Sequence, residues 1–259
     1  MLLDHIVILV DDLDLASRDY TDLGFSVVVG GKHADGISQN ALIAFEDGSY
    51  LELLNFLSPP PEEHLFARGG QSAEGIVSYA LLPDDIEADI ARARRHGLHI
   101  RGPKRGGRLR PDGLEIAWQS GRTDYPALPF LCSDLTPRDL RVPHGPAQRH
   151  PNGVTGIAEL EVLVDDLDEA ARLYGALLGD TAEVAREYGQ HSQDVVRLRL
   201  ARTTLTLHPA RNMAEQRRLK SHGPGAHALT LLSTHASDNS LDIELTHGVE
   251  IRVKQSSET

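Results

Sequence analysis

The hexapeptide Leu-Val-Asp-Asp-Leu-Asp occurs twice, at Leu9–Asp14 and again at Leu163–Asp168. A six-residue identity is improbable by chance in a chain of 259 residues, and self-similarity of this kind marks a repeat architecture. The likeness extends outward. His5 falls opposite Glu159, Tyr20 opposite Tyr174, and Gly24 opposite Gly179 after one inserted residue. Residues 1–57 and 153–209 therefore read as two copies of one unit. A weaker copy starts at Gly75, where Leu82-Pro83-Asp84-Asp85 aligns with Leu9-Val10-Asp11-Asp12. A fourth, trimmed of its helix, spans residues 226–254.

Each unit reads in the same order. The apolar run His5–Val10 predicts a strand. An Asp-Asp pair then caps a helix, because acidic side chains accept from the free N–H groups of the first turn and suit its positive end. The helix places Leu15, Tyr20 and Leu23 near one face, and Gly24 ends it. Three strands follow, the last two joined by the tight turn Glu46-Asp47-Gly48-Ser49. The order is βαβββ. The expected fold is α+β, with tandem modules pairing into curved mixed sheets and helices on the outer faces. One lobe spans residues 1–140, from modules 1–57 and 75–133. A second spans 150–254, from module 153–209 and the truncated module 226–254. Proline-rich linkers, including Pro59-Pro60-Pro61, separate the units. The polar tail after Val253 is expected to fray.

Composition narrows the function. A formal net charge of −12 argues against nucleic-acid and membrane partners. The single Cys132 excludes an internal disulfide framework and fits a reducing compartment. The N-terminal apolar run is too short and too acidic for a signal peptide, and no stretch approaches the ~20 apolar residues of a membrane helix. The expected address is the cytoplasm, and the expected partner is a small-molecule substrate. The motifs of phosphate-binding loops, dinucleotide-binding turns, serine nucleophile elbows and zinc-protease helices are absent.

Tandem βαβββ units with a His in the first strand and a Glu in the fourth resemble the vicinal oxygen chelate superfamily, which includes glyoxalase I, extradiol dioxygenases and bleomycin-resistance proteins. The closest likeness is to its glyoxalase-like domain proteins. It is carried by Asp4-His5-Ile6-Val7, Gly30-Gly31-Lys32-His33, Asn40-Ala41-Leu42 and Tyr50-Leu51-Glu52-Leu53-Leu54 in the first unit. In the second it is carried by Gly107–Gly113, Trp118 and Pro129-Phe130-Leu131. The resemblance implies that two modules close into a cup and that metal ligands project from first and fourth strands. Transferred here, those ligands are His5 and Glu52, a pair suited to Zn, Mn, Ni or Fe. Such modules can also be exchanged between chains, so a homodimer is among the expected assemblies. The second unit departs from the pattern. Ser78 aligns with His5, and the fourth-strand position falls on Phe130 or Cys132, or on Ala117 beside Glu115. In the second half, Glu159 replaces the first-strand His, Thr206 and His208 share the fourth-strand face, and Arg252 stands where a Glu is common. A second, independent metal site is not expected.

Candidate roles follow residue by residue. A carboxylate among apolar neighbours, such as Glu52, either meets a cation or metal, acts as a base, or faces solvent on an edge. His33, after two glycines, is a candidate acid or base, or a plain loop histidine. Asn40 either binds substrate or caps the third strand. Arg108 and Arg110 are candidates for gripping a substrate anion, whereas Arg101, Lys104 and Arg105 read better as a solvated loop. Trp118 either walls the cup or packs in the core. The implied chemistry is a metal-assisted or base-catalysed step on a small carbonyl or enolate substrate; the rival is sequestration of a small molecule without turnover.

Overall fold

The computed structural model describes residues 1–61, 66, 74–187, 194–235 and 238–256. Part of the first proline-rich linker and the last three residues lie outside them. The first unit is β1 (Leu2–Leu9), α1 (Leu13–Asp22), β2 (Val28–His33), β3 (Ser38–Ala44) and β4 (Tyr50–Phe56). The second is β5 (Gly75–Leu82), α2 (Ile86–Arg95), β6 (Ile100–Leu109), β7 (Glu115–Thr123) and β8 (Phe130–Asp134). A four-residue helix, α3 (Arg138–Arg141), lies in the connection between halves. The third unit is β9 (Val154–Leu163), α4 (Leu167–Leu178), β10 (Glu183–Glu187), β11 (Val195–Leu200) and β12 (Thr203–His208). After α5 (Met213–His222), the fourth unit keeps only β13 (Gly225–Ser233), the two-residue β14 (Asn239–Ser240) and β15 (Glu250–Gln255).

The Asp-Asp signal is local and acts as read. Asp12 accepts from the N–H groups of Asp14 and Leu15, Asp85 from Glu87 and Ala88, and Asp166 from Asp168 and Glu169. In each repeat the second aspartate is the cap, a contact worth about 1 kcal/mol. The buried stripe of α1 is Leu13, Ala16 and Tyr20, at helical spacing. Leu15, expected on that face, is 44% exposed. It follows the cap by three residues, which turns it toward solvent while Leu13 and Ala16 meet the sheet.

In every unit the first and last strands pair in parallel: β1 with β4, β5 with β8, β9 with β12, and β13 with β15. The fourth strand of the second unit is thus β8, and the run around Ala117 belongs to β7. The first eight strands close a barrel in the order β1-β4-β3-β2-β6-β7-β8-β5. Closure needs two seams, β1 against β5 and the short β2–β6 pairing that sets His33 opposite Arg108. The other seven strands form an open sheet, β10-β11-β12-β9-β13-β15-β14. The truncated fourth unit lacks a long middle strand to close it. No helix among the described residues is long and apolar enough to cross a membrane.

Alternation along β1 divides the barrel wall. Ile6 and Ile8 join the main core with α1, α2, α4 and the second sheet, whereas Val7 and Leu9 pack inside with Leu54, Val77, Phe130 and Cys132. The halves share that core and are also tied by polar contacts. Tyr79 and Tyr174 both donate to the Ala127 carbonyl, at 3.1 and 2.6 Å, and Arg92 donates to the Leu177 carbonyl at 2.8 Å.

Candidate active site

The inward faces of β1 and β4 meet at the buried floor of the barrel. Parallel register sets His5 beside Tyr50 and Val7 beside Glu52, so His5 and Glu52 approach on the inner surface. His5 Nδ1 donates to Asp4 Oδ2 at 2.7 Å, and Nε2 faces Glu52 Oε2 at 3.3 Å. The His5 ring stacks on Tyr50 with centroids 4.6 Å apart and meets the edge of Phe130 at 5.4 Å. Glu52 Oε1 accepts from Asn40 Nδ2 at 2.6 Å and faces His33 Nε2 at 3.5 Å. His33 is held from behind by Ser38 Oγ at 2.9 Å.

Two glycines make this possible. A Cβ on Gly30 would lie 2.0 Å from Asn40 Oδ1, so only glycine lets the Asn40 amide lie flat against β2. Gly31 has a φ of +120° and passes against the Leu109 carbonyl, where β2 crosses to β6. The Asn40 oxygen lacks a hydrogen-bond donor among the described residues. The amide is turned so that its N–H₂ serves the Glu52 charge, the costlier group to leave unsatisfied.

Behind the floor lies an ion network. Asp4, fully buried, receives two hydrogen bonds from Arg141, at 2.9 and 3.1 Å, and one ion pair from Arg138 at 2.6 Å. Arg141 also donates to the Tyr50 hydroxyl at 2.7 Å and to Asp134. Burial by itself would raise the Asp4 carboxyl, but Arg141 and His5 hold it far below the usual range. Burial likewise opposes charge on His5, yet the hydrogen bonds to Asp4 and Glu52 raise its pKa. Burial would raise Glu52 too, and the hydrogen bonds from His33 and His5 keep it well below an ordinary carboxyl. The floor is thus a chain of contacts, Arg141–Asp4–His5–Glu52–His33, whose surroundings favour the protonated form of His5 and the ionised form of Glu52.

These directions set a pH dependence. Asp4 and Glu52 contribute stability that is present above the unfolded carboxyl range, near pH 4, and is lost as pH falls. His5 contributes stability that is full below about pH 6.5 and is lost as pH rises through its elevated folded value. First-lobe stability is therefore expected to peak between about pH 5 and about pH 6.5 and to decline on both sides. Urea midpoints read by the fluorescence of Trp118, the single tryptophan, would show it. A flat profile from about pH 3 to about pH 9 would contradict the assignment.

A cavity of about 260 Å³ opens above this floor. The candidates named from the sequence distribute around it as follows. His5, His33, Asn40 and Glu52 converge, and Trp118 lines the wall with its ring edge-on to His33 at 5.9 Å. Arg108 also lines the cavity, but its guanidinium donates to the carbonyls of Gly30 and Arg141, so it braces two walls. Arg110 lies outside the lining; it donates to the Leu140 carbonyl at 3.2 Å and to Asp112 at 2.8 Å. Lys104 and Arg105, read as a solvated loop, lie on strand β6 and line the cavity. Asp4, Tyr50, Arg122 and Arg141 also belong to the site, without a role read from the sequence, and Phe130, named there as a possible fourth-strand counterpart of Glu52, lines the cavity. Asp4 stands inside the recognised first-strand motif, but Arg141 comes from the linker between halves and has no local signal.

The superfamily's metal implies a donor set, and the first lobe does not supply it. His5 and Glu52 have a spacing that two ligands of one ion can share. Their counterparts in the second unit are Ser78 and, by the parallel register of β5 and β8, Phe130. No other described His, Cys, Asp or Glu joins the pair at ligand spacing. The second lobe differs. Glu161, His208 and His227 are buried, with ligand atoms all within 4.8 Å of one another, close enough to hold a metal. This corrects the expectation that the second half has no such grouping. His227 escaped notice because β13 bulges between Ala226 and Ala228, which turns it onto the face of Glu161. Burial lowers both imidazole pKa values, that of His227 to about 3, so both rings are neutral and able to bind an ion. Glu161 is shared, however, with Arg252 and with Arg211 at 2.6 Å.

Comparison with known proteins agrees with this architecture. No characterised protein sequence matches the chain. A hypothetical protein from Staphylococcus aureus superposes with a TM-score of 0.75 at 16% identity, covering 98% of this chain and 99% of that one. A mutant form of 4-hydroxymandelate synthase from Streptomyces coelicolor gives 0.65 at 17% identity, covering 100% and 93%. A fusion of a xylose isomerase-like TIM barrel with 4-hydroxyphenylpyruvate dioxygenase gives 0.56 at 18% identity, covering 90% of this chain and 36% of that one. At such identities the likeness concerns the fold. The sequence model of the glyoxalase-like domain matches residues 3–178, about two thirds of the chain. With the βαβββ barrel and the His5–Glu52 floor, that match makes the chain a member of the glyoxalase-like domain family of the vicinal oxygen chelate superfamily.

Proposed function

We propose that the first-lobe cavity binds a small carbonyl compound and moves a proton at the carbon beside the carbonyl, with Glu52 as base and His5 as acid. The observation that supports this reading is the charged His5–Glu52 pair, 3.3 Å apart on a buried floor. Two titratable groups whose surroundings drive their pKa values apart are the signature of an acid–base pair. A substrate carbonyl that takes the place of Glu52 Oε2 accepts the His5 Nε2–H. Enolate charge then develops against an imidazolium already braced by Asp4, so little reorganisation is needed. Glu52 removes the proton from carbon. In the resting site its hydrogen bonds keep it ionised but weaken it as a base. Displacing His5 onto the substrate removes one of those bonds and strengthens the base when it is needed. Only an acidified C–H, as beside a carbonyl, suits such a base. The names of two structural neighbours, 4-hydroxymandelate synthase and 4-hydroxyphenylpyruvate dioxygenase, point to aromatic acids of similar size. The reaction class is lyase or isomerase chemistry of the glyoxalase type, in the reducing cytoplasm that a lone buried cysteine suits. Exchange of methyl protons of small ketones, 4-acetylbenzoate among them, in heavy water tests it by proton NMR. Exchange that is lost in Glu52→Gln supports it; equal exchange in both proteins refutes it.

The same reading assigns any divalent Zn, Mn, Ni or Fe to the second lobe, where Glu161, His208 and His227 lie close enough to share one ion. Zinc added to chelator-treated protein is expected to raise the melting temperature of wild type and His5→Ala but not of His208→Ala. The reverse pattern would return the metal to the first lobe.

A second reading, sequestration without turnover, is favoured by Ser78 and Phe130 at the missing ligand positions. Ligand-induced stabilisation with no proton exchange would establish it.

A further inference from the structure

The charge of the cavity is opposite to that of the protein. In a chain of net charge −12, the lining carries five cations, Lys104, Arg105, Arg108, Arg122 and Arg141, against the carboxylates of Asp35 and Glu52. Arg141 is neutralised by Asp4 and Asp134, and Glu52 is claimed by His5, His33 and Asn40. Of the rest, Arg122 is the most informative. It is half-buried on β7, and its guanidinium has no hydrogen bond or acidic partner among the described residues. Burial and the like charge of Arg101, its cross-strand partner, both lower its pKa, so the folded chain holds this cation at a cost. A half-buried unpaired arginine that faces a cavity is explained by an anion that arrives from outside.

Barrel order places this cation where it serves a substrate. In the ring of eight strands, β6 stands opposite β1, and β7 stands opposite β4. Trp118, Ser120 and Arg122 follow one another on the inner face of β7, and Lys104 pairs with Ser120 from β6. The cations therefore face His5 and Glu52 across the bore. An eight-stranded barrel leaves room for one small ligand. The exposed Lys104 and Arg105 mark the mouth of the cavity, so the same charges draw anions in.

We infer that the β6–β7 wall is an oxyanion subsite, and that the substrate is a small carbonyl compound with a carboxylate or phosphate at the end distal to the carbonyl, held by Arg122 and Lys104. This rests on the proton-transfer reading of the His5–Glu52 floor and extends it to the far end of the ligand. The apolar middle of the molecule lies along Trp118 and Phe130.

Three probes of one shape test it by calorimetric titration at low salt: 4-acetylbenzoate, 4-acetylphenyl phosphate and the neutral 4-acetylbenzamide. Wild type is expected to bind at least one anion about 10-fold or more tightly than the amide, and the tighter of the two identifies the head group. Arg122→Gln is expected to erase that preference with its melting temperature unchanged or raised, since the side chain it removes makes no hydrogen bond or ion pair among the described residues. Equal binding of the amide, an unchanged preference in Arg122→Gln, or no binding of any probe at millimolar concentration would overturn the subsite. Glu52→Gln separates the two readings. Arg122-dependent anion binding with Glu52-independent proton exchange leaves the subsite standing and removes the proton-transfer role. Glu52-dependent exchange without an effect of Arg122 does the opposite.

Discussion

Replacing Arg141 by methionine is expected to destabilise the first lobe by about 3–5 kcal/mol, because it strands a buried carboxylate. Asp4 is 0% exposed and takes two of its charged hydrogen bonds from Arg141. The loss also takes one partner from Asp134, which keeps Arg138, and one from the Tyr50 hydroxyl. Arg138 remains beside Asp4 but reaches it through a single nitrogen and is itself partly exposed, so it cannot replace a buried two-pronged partner. Urea unfolding followed by Trp118 fluorescence reads the effect in the lobe where it arises. A double-mutant cycle gives the sharper result. In an Asp4→Asn background the same Arg141→Met change is expected to cost markedly less, since no buried charge is left unpaired. Equal costs in both backgrounds would show that Arg141 acts by packing alone. The cycle bears on chemistry as well as stability, because Asp4 helps raise the His5 pKa and orients its ring toward Glu52.

Glu52→Gln is expected to lower proton exchange by about 10²–10⁴-fold, the range spanned by a positioned general base. The substitution conserves shape, and Asn40 Nδ2 still finds a carbonyl oxygen to donate to. The fold should therefore persist. The acid limb of the stability profile should weaken, since one of its two depressed carboxyls is gone. Binding of an anionic ligand should survive, because the cations lie on the opposite wall. Loss of exchange together with loss of folding would leave the base unproven; for that reason the unfolding midpoint is measured on the same sample. Retained exchange in a folded Glu52→Gln protein would refute Glu52 as the base.

The module order and the aspartate caps were legible in the chain itself, and His5 with Glu52 followed from the family resemblance. The first two rest on local rules: strand alternation and helix capping. The hexapeptide at Leu9 and Leu163 marked the same strand-to-helix junction twice. Residues whose role depends on distant chain segments were not legible. Arg141 sits in a linker 137 positions from the aspartate it neutralises. Lys104 and Arg105 look solvated in a glycine-rich basic run, because that stretch carries no apolar alternation to show that it is a strand or which face is inward, and Arg122 carries no local signal of its own. Phe130 and Cys132 could be told apart as occupants of the vacant ligand position only once β8 was seen to pair in parallel with β5. His227 reaches its face through a bulge, where one extra residue reverses the direction of a side chain. Local periodicity thus determined what the elements are, and the family resemblance pointed to His5 and Glu52 along them. The tertiary structure alone decided which side chains share the bore, since inward and outward are set by register and barrel closure between strands far apart in the chain.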